Sequence, residues 1–443
     1  MRFKRVLLVF PYYASSRYLN RRRLQLAGGI LEQTLVRANI DVQVIDLMIE
    51  PEEKLLVLLD DMNPDLIGVS LASVNYADSY ALIDRIKAYH PACSIVVGGP
   101  HVAAFGIRVF RNPNIDFAVQ REGELPLLEL CQGAPLAQIG NLIFRDHTGR
   151  IVQNSERAWL NFSQYDFPHY STYDLEQYVR VINIQTSRGC PFGCIFCASR
   201  NSSGKHYRYR KPGCVVDEIA FWHEHGYRHI EIVDDNFTLN EQRVLAICDQ
   251  IEARNLDGLK ISCGNGIRAD RVNRHLLNRM KDIGVYNVAF GVESGASHVL
   301  NRIRKGETLK DLRSGIEMAC EIGLRVTLFF LIGSPGETIE DVQASVRLME
   351  SFPIWDARFY HLMPFPGTPL FDWVLQHGYF IKPVPDYLNG IDDTPAFETP
   401  EMSRAERVEA QSWALEQVRL HCQRYKREKC KIAAIENSGG KKR

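Results

Sequence analysis

Short apolar runs alternate with helical patterns in the first part of the chain, and the alternation predicts a layered fold of strands and helices. The predicted strands are 5–10, 41–47, 66–70 and 94–97, and 24–37 is a predicted helix. The runs are almost continuously hydrophobic, as strands covered on both faces must be. Residues 1 to 145 are therefore expected to form an α/β domain with a doubly wound parallel sheet, whose ligands bind beyond the carboxyl ends of the strands.

A second series of strand and helix patterns repeats six times between residues 181 and 370. Its predicted strands are 181–185, 229–233, 259–263, 287–291, 325–332 and 357–362. Six consecutive units of this kind predict a partial (β/α)6 TIM barrel, whose functional residues lie at the carboxyl ends of the strands.

The segments around these two domains have weaker patterns. Residues 141–154 are interpreted as a hairpin that closes the first domain, and residues 146–180 as a linker. Residues 371–443 are expected to form a short helical C-terminal extension, with a helix at 404–424 and a solvated, partly disordered basic tail from residue 426.

Composition narrows the class of protein. Lys plus Arg and Asp plus Glu number 53 each, so the basic excess of a nucleic-acid-binding surface is missing. No apolar run approaches the roughly 20 residues of a membrane-spanning helix. The 11 cysteines follow no regular framework, which fits a reducing compartment. We therefore expect a cytoplasmic protein with no nucleic-acid partner and no membrane span.

Three cysteines stand within eight residues, directly after the first strand of the second series. Cys190, Cys194 and Cys197 have the spacing Cys-x3-Cys-x2-Cys. Structural zinc sites close their tetrahedron with four ligands. Three thiolates on one loop instead leave one metal position open, as an iron-sulfur cluster with three cysteine ligands does. The alternatives are a zinc knuckle or three cysteines packed in a core.

These cysteines, with Phe196 directly before the last of them, resemble the signature of the radical S-adenosylmethionine (SAM) superfamily. The resemblance implies a 4Fe-4S cluster on Cys190, Cys194 and Cys197, with Phe196 beside SAM. The open iron would chelate SAM, and one electron would cleave it to a 5′-deoxyadenosyl radical. It also implies an electron donor such as flavodoxin or ferredoxin. No residue that relays or quenches the radical is identified.

The resemblance extends to the ends of the later strands. Asp234 and Asp235 take the place of the family's Gly-Gly-Glu segment, which receives the SAM amino group, although this segment also suits a helix cap. Arg268, followed by Asp270, either clamps a carboxylate or forms a structural ion pair. Glu293 and Ser294 resemble the motif that places a carboxylate near SAM, and Gly333 stands where backbone faces adenine.

The first domain resembles the Rossmann-like cobalamin-binding domain that precedes many radical SAM cores, in residues 64–70, 96–101 and 122–124. The resemblance implies that Ser70, Gly98, Gly99 and Glu122 contact cobalamin. The sequence departs from methionine-synthase-type domains, because Pro-Tyr-Tyr-Ala-Ser-Ser at 11–16 replaces Asp-x-His-x-x-Gly. A histidine ligand to cobalt from that loop is excluded. The alternative is a domain that has lost its cofactor.

The two resemblances together imply a cobalamin-dependent radical SAM enzyme. The commonest chemistry of this architecture is methylation of an unactivated carbon, here of a small-molecule or natural-product substrate. One alternative is radical oxidative cyclisation or rearrangement of the tetrapyrrole-cyclase type. A second is a non-catalytic cluster and cobalamin sensor, which would not need SAM-facing groups on four further strand ends.

Overall fold

The computed structural model describes residues 2–12, 22–164, 166–389 and 394–439. Its two large sheets confirm the predicted α/β class. No helix in these ranges is both long enough and apolar enough to cross a lipid bilayer. The part of the loop at 11–18 that follows Tyr12, and the last four residues of the basic tail, lie outside the described residues.

The first sheet contains seven strands in the order β2-β1-β3-β4-β5-β6-β7. They are β1 (Arg5–Phe10), β2 (Asp41–Asp46), β3 (Leu66–Ser70), β4 (Ser94–Gly98), β5 (Phe117–Val119), β6 (Leu142–Arg145) and β7 (Ile151–Gln153). The first five are parallel, and β6 and β7 form an antiparallel hairpin. The direction of strand succession reverses between β1 and β3, which is the switch point where such sheets bind ligands.

Helices cover both faces of this sheet, and the side chains on both faces of its strands are therefore buried in apolar clusters. The helices are α1 (Leu26–Arg37), α2 (Glu52–Met62), α3 (Tyr76–Tyr89), α4 (Pro100–Phe105) and α5 (Glu124–Gln132). The predicted linker packs on α1. A Cβ atom on Gly28 would lie 2.2 Å from the Tyr173 hydroxyl, and one on Gly29 would lie 2.3 Å from the Tyr170 ring. Two adjacent glycines therefore let the linker lie directly on the helix backbone.

The second sheet contains six parallel strands in the order β15-β14-β13-β12-β11-β8. They are β8 (Val181–Ile184), β11 (His229–Ile232), β12 (Lys260–Ile267), β13 (Val285–Glu293), β14 (Arg325–Ile332) and β15 (Asp356–His361). A two-stranded sheet of β9 (Ser187–Arg188) and β10 (Arg208–Tyr209) lies beside β8 in sequence. Neighbouring strands in this sheet follow one another in chain order without a reversal, as the strands of a (β/α) barrel do. Closure of the sheet into a partial barrel stays a prediction.

Ten further helices complete the described fold. They are α6 (Ser199–Ser202), α7 (Pro212–Glu224), α8 (Glu241–Ala253), α9 (Arg274–Asp282), α10 (Ser297–Arg302), α11 (Leu309–Ile322), α12 (Ile339–Glu350), α13 (Pro369–His377), α14 (Val384–Asn389) and α15 (Arg404–Gly439). Helix α15 lies against the edge strand β15, where the Gln411 amide donates to the Phe359 carbonyl.

Three predicted elements extend further in the structure. Strands β12 and β13 end at Ile267 and Glu293, not at 263 and 291. The hairpin predicted at 141–154 is confirmed as β6 and β7, which continue the first sheet to Gln153. Helix α15 continues through the predicted basic tail as far as Gly439 instead of ending at 424. The tail's Lys, Arg, Glu and Ala residues are good helix formers, which explains the extension. The domain boundaries at 145, 180 and 370 stay predictions.

A buried carboxyl group braces the loop after β14. Glu337 is fully buried and accepts hydrogen bonds from the backbone N–H groups of Gly333 (2.6 Å) and Ser334 (3.1 Å). Burial raises the pKa of Glu337 to about 8 from its ordinary value of 4.5. The folded state therefore holds a proton that the unfolded chain has already released between these two pKa values.

We expect this carboxyl to make stability fall as pH rises from about 5 to about 8, because the folded state binds more protons than the unfolded state there. Glu337→Gln keeps the acceptor oxygen and removes the titration. Urea denaturation across this range should show a steeper decline for the wild type than for the variant. Parallel pH profiles would contradict the expectation.

Candidate active site

Two acidic residues that follow β11 bind the start of the cysteine loop. The buried Asp234 carboxylate accepts hydrogen bonds from the backbone N–H and hydroxyl of Thr186 and from the Ser187 hydroxyl. Asp235 Oδ2 accepts a 2.9 Å bond from the Gly189 N–H. Both predicted acidic residues therefore lie at the loop, and the contacts of their side chains are with the loop itself.

The three cysteines follow on this anchored loop. Cys190, Cys194 and Cys197 are partly buried free thiols. Burial raises the pKa of Cys190, and it raises the pKa of Cys194 to about 11, so metal ions must displace thiol protons when they bind. Among the described residues, no group of three His, Cys, Asp or Glu side chains could hold a single metal ion. Phe196 is half-buried against the apolar core of the second domain.

A network of charged side chains lies beside the loop. Lys305 Nζ is 2.9 Å from Glu293 Oε1 and 3.4 Å from Glu307 Oε2, and all three residues are buried. Arg268 binds Asp270 through Nε at 2.9 Å, and its guanidinium lies 3.4 Å from the centre of the Phe192 ring. Burial alone would lower the pKa of Lys305, but the Glu293 and Glu307 carboxylates raise it above its ordinary value. The network therefore keeps fixed charges close to Cys194.

Irregular backbone at two strand ends directs these side chains. The register of β12 shifts between Cys263 and Ile267, just before Arg268, and that of β13 shifts between Gly291 and Glu293. Glu293 itself has φ +67, an unfavourable value for a residue with a Cβ atom. Such bulges re-aim side chains beside active sites. Strain of this kind persists only where surrounding contacts hold it, as the Lys305 ion pair does here.

The remaining predicted SAM residues also have protein partners. The Ser294 hydroxyl accepts a 3.2 Å bond from the Ala296 N–H. Gly333 (φ +92) lies beneath the Arg407 guanidinium of α15, and a Cβ atom there would be 2.2 Å from Arg407 Nη1. Gly333 therefore sets how closely the C-terminal helix approaches the end of β14.

Several buried polar atoms near these strand ends have no hydrogen-bond partner among the described residues. They are both amide atoms of Asn236 and the hydroxyls of Thr238 and Ser334. An unpaired buried polar group costs about 1 to 3 kcal/mol. Asn236 directly follows Asp235, which holds the cysteine loop, so its orphaned amide fits a polar ligand at this edge of the sheet.

A cavity of about 420 Å³ lies between the two sheets, at the switch point of the first one. Ser70, Gly98, Gly99 and Glu122 all line it, so the structure brings these four predicted residues together. Its first-domain wall is largely apolar, with Leu8, Phe10, Leu26 and Ile30, while Gln185, Arg188 and two serines face it from the second domain. The volume is within the ~300–1,000 Å³ typical of cofactor sites.

The glycine pair shapes the floor of this cavity. Gly99 has φ +97, and a Cβ atom there would lie 2.8 Å from the Leu71 carbonyl oxygen. A Cβ atom on Gly98 would meet nothing closer than 3.9 Å. The backbone at the end of β4 therefore lies bare against the cavity, as close approach of a large flat ligand requires.

A buried ion network joins the cavity to the cysteine loop. Arg188, two residues before Cys190, donates through Nη1 to Glu122 (2.9 Å) and Glu124 (2.7 Å) of the first domain. Arg208 also donates to Glu122, at 2.7 Å. The Glu122 carboxylate is thus held by two arginines of the second domain.

Arg188, Arg208, Lys305, Glu307 and Arg407 are the residues that sequence reasoning missed. The partners of Arg188, Arg208 and Arg407 are distant in the chain, so no local pattern marks those pairs. The available signal was position: Arg188 adjoins the cysteine motif, and Lys305 and Glu307 flank a glycine after α10.

Two family descriptions match the chain. The radical SAM superfamily matches residues 184–349, and the B12 binding domain matches residues 26–131. The first match contains the cysteine loop and the strand ends with Arg268 and Glu293. The second contains most of the cavity lining from the first domain.

Characterised and uncharacterised relatives share these regions. An uncharacterized methyltransferase of Pyrococcus horikoshii is 30% identical over 361 residues, which cover 79% of this chain and 78% of the relative. A cytidylyl-2-hydroxyethylphosphonate methyltransferase of Streptomyces wedmorensis is 25% identical, covering 85% and 83%. An anaerobic magnesium-protoporphyrin IX monomethyl ester cyclase of Cereibacter sphaeroides is 27% identical, covering 75% of this chain and 57% of the cyclase.

A solved structure has the same fold. The radical S-adenosylmethionine methyltransferase TsrM from Kitasatospora setae, with cobalamin and a 4Fe-4S cluster bound, superposes with a TM-score of 0.75. The match covers 92% of this chain and 84% of TsrM at 20% identity.

The Arg188–Glu124 pair is suited to a double-mutant cycle, because both side chains are at least nine-tenths buried. Arg188→Met leaves the carboxylates without this partner and should destabilise the fold by about 3 to 5 kcal/mol. Arg188→Met/Glu124→Gln should recover part of that loss, measured by urea denaturation of the three variants and the wild type. Strictly additive effects would show that the pair is not coupled.

Proposed function

The chain belongs to the family of cobalamin-dependent radical SAM methyltransferases, and we propose that it methylates an unactivated carbon of a small-molecule or natural-product substrate. The observation that carries the proposal is the cavity at the switch point. Arg188, two residues before Cys190, forms part of its wall. A methyl donor in the first domain and a radical generator in the second would there face one common space.

The cofactors of the family are a 4Fe-4S cluster, SAM and cobalamin. When bound, the cluster supplies the electron that cleaves SAM to a 5′-deoxyadenosyl radical, and cobalamin supplies the methyl group. Three thiols on one loop and a bare glycine backbone on an apolar cavity fit these two groups.

We assign the cysteines to the cluster and the polar strand ends to SAM. Cys190, Cys194 and Cys197 would hold the cluster, with Phe196 beside SAM. The unpaired amide of Asn236 supports a role in binding the polar end of SAM, beside Asp234 and Asp235, which position the loop. Glu293 would accept hydrogen bonds from ribose hydroxyls, with Lys305 and Arg268 fixing its environment. Ser294 and Gly333 would shape the backbone on either side.

In the first domain, Ser70, Gly98 and Gly99 would contact cobalamin directly. The carboxylate of Glu122 already accepts from Arg188 and Arg208, so its proposed role is to form the polar wall of the site. The loop that lacks a histidine lies outside the described residues after Tyr12, and cobalt ligation without a protein histidine stays a prediction.

An electron donor such as flavodoxin or ferredoxin completes the proposed system, and we place the protein in the cytoplasm. Ten of the 11 cysteines, including the three of the loop, form no disulfide bond, which supports a reducing compartment. The second candidate function is radical oxidative cyclisation, which the relationship to the magnesium-protoporphyrin cyclase favours.

Replacing Cys190, Cys194 and Cys197 together by alanine should abolish the iron-sulfur cluster, because no other ligands on the loop can replace three thiolates. Iron and sulfide analysis after anaerobic reconstitution should give a full cluster for the wild type and a background level for the variant. Cys214→Ala, outside the loop, is the matched control. A triple variant that kept full iron and sulfide would refute the cluster assignment.

Methyl transfer through cobalamin consumes two SAM molecules per turnover, one cleaved to the radical and one spent on remethylation. Turnover with SAM labelled on its methyl group should therefore yield 5′-deoxyadenosine and S-adenosylhomocysteine together, with the label in the product. A cyclase would yield 5′-deoxyadenosine without S-adenosylhomocysteine. Unlabelled product at verified turnover would decide for cyclisation.

A further inference from the structure

A depression of about 340 Å³ lies beside the cysteine loop. Its lining includes Ile195, Arg302, Arg304, Trp373, Tyr379 and Glu401. We call this surface the Arg302–Arg304 face. It is separate from the cavity between the sheets, since the two share no lining residue.

The Arg302–Arg304 face touches the cysteine loop itself. Ile195 directly follows Cys194, and its N–H donates to the Ile303 carbonyl at 3.0 Å. The Ile195 carbonyl accepts a 3.0 Å bond from the Leu370 N–H. These two bonds fix the loop between α10 and the start of α13. A molecule seated in the depression would therefore be one residue away from Cys194.

The face carries positive charge although the chain as a whole has none in excess. Arg302 and Arg304 are both exposed, and Glu401 is the one carboxylate among the described lining residues. Arg271, which is also exposed and lies 5.7 Å from the centre of the Phe192 ring, is paired with Asp270 at 3.5 Å, so Arg302 and Arg304 carry the positive charge of the face. With 53 basic and 53 acidic residues overall, this arrangement is a local asymmetry at the loop.

The composition of the face suits a protein partner. Arginine, tryptophan and tyrosine are the residues enriched at the energetic centres of protein interfaces, and here Arg302, Arg304, Trp373 and Tyr379 stand together. Encounters between electron-transfer proteins bury small areas and rely on complementary charge for a fast approach. A basic surface next to the cysteine loop meets the requirement for charge.

We propose that the Arg302–Arg304 face is the docking surface for an acidic one-electron carrier protein of the flavodoxin class. The proposal rests on the proposed function only in that a cluster must sit on the loop. In the encounter, a flavodoxin hydroquinone gives up one electron and becomes the semiquinone, and the 4Fe-4S cluster accepts it, passing from the 2+ to the 1+ state. Carboxylates of the carrier pair with Arg302 and Arg304.

The test compares flavodoxin binding and electron transfer in Arg304→Glu and in Arg302→Gln/Arg304→Glu. Arg313→Glu is the matched control for the first variant, because Arg313 is an exposed arginine on α11 and the charge change is the same. Binding of oxidised flavodoxin is measured by calorimetry before and after cluster reconstitution, at low salt and at about 0.3 M salt. Electron transfer is followed by flavin absorbance, with dithionite reduction of the cluster as the reference.

At low salt, Arg304→Glu should weaken binding and slow electron transfer at least tenfold, and the double variant should do so more strongly. The difference should shrink at high salt, since screening removes charge steering. Dithionite should reduce the cluster equally in all variants. Arg304→Glu changes an exposed side chain, so its fold is expected to persist even if the double variant is unstable.

Wild-type rates in Arg304→Glu, or an equal loss in Arg313→Glu, would overturn the proposal. So would self-association of the chain through this face, seen as a dimer that the charge reversal dissociates. A wild type that dithionite reduces but flavodoxin neither binds nor reduces would also overturn it, and would leave the proposed function intact. Failure of dithionite to reduce any cluster would instead refute the proposed function, while binding to the unreconstituted protein would still decide the docking proposal.

Discussion

The guanidinium of Arg188 is the contact on which the arrangement of the two domains depends. Its Nη1 reaches Glu122 and Glu124 across the interface, and its Nε donates to Gln185 at 2.7 Å. Since Cys190 follows two residues later, the same side chain fixes the entry to the cysteine loop. A planar donor with several N–H groups can make these contacts at once, which a lysine cannot. One group therefore contacts both the wall of the cavity and the start of the cysteine loop.

The second domain shows how support and chemistry are divided among strand ends. The carboxylates of Asp234 and Asp235 accept hydrogen bonds from the loop, whereas the buried amide of Asn236 has no partner among the described residues. The two acidic residues thus hold the loop. Glu293 is intermediate, because it is paired with Lys305 but held in a strained conformation at a bulge.

Local sequence patterns predicted much of this structure. Continuous apolar runs located the strands, and the cysteine spacing and glycine pair marked two candidate sites, because spacing along one loop or strand is visible in the chain itself. Strand β12 was predicted to end too early, since Gly264, Asn265 and Gly266 interrupt the hydrophobic pattern at its bulge. Strand β13 also extends two residues past its predicted end, to Glu293. Arg188–Glu124 and Gly333–Arg407 could not be predicted, because each joins residues more than 60 positions apart and tertiary packing alone brings them together.

The close contact between Gly336 and Arg302 links two positions that are otherwise unrelated. A Cβ atom on Gly336 would lie 1.1 Å from Arg302 Nη1, so no larger residue fits there while the guanidinium keeps its place. A side chain at 336 would push the Arg302 guanidinium away from the Pro335 carbonyl, and the φ of +70 favours glycine there in any case. The position of one charged group on the Arg302–Arg304 face is thus set by a residue that has no side chain.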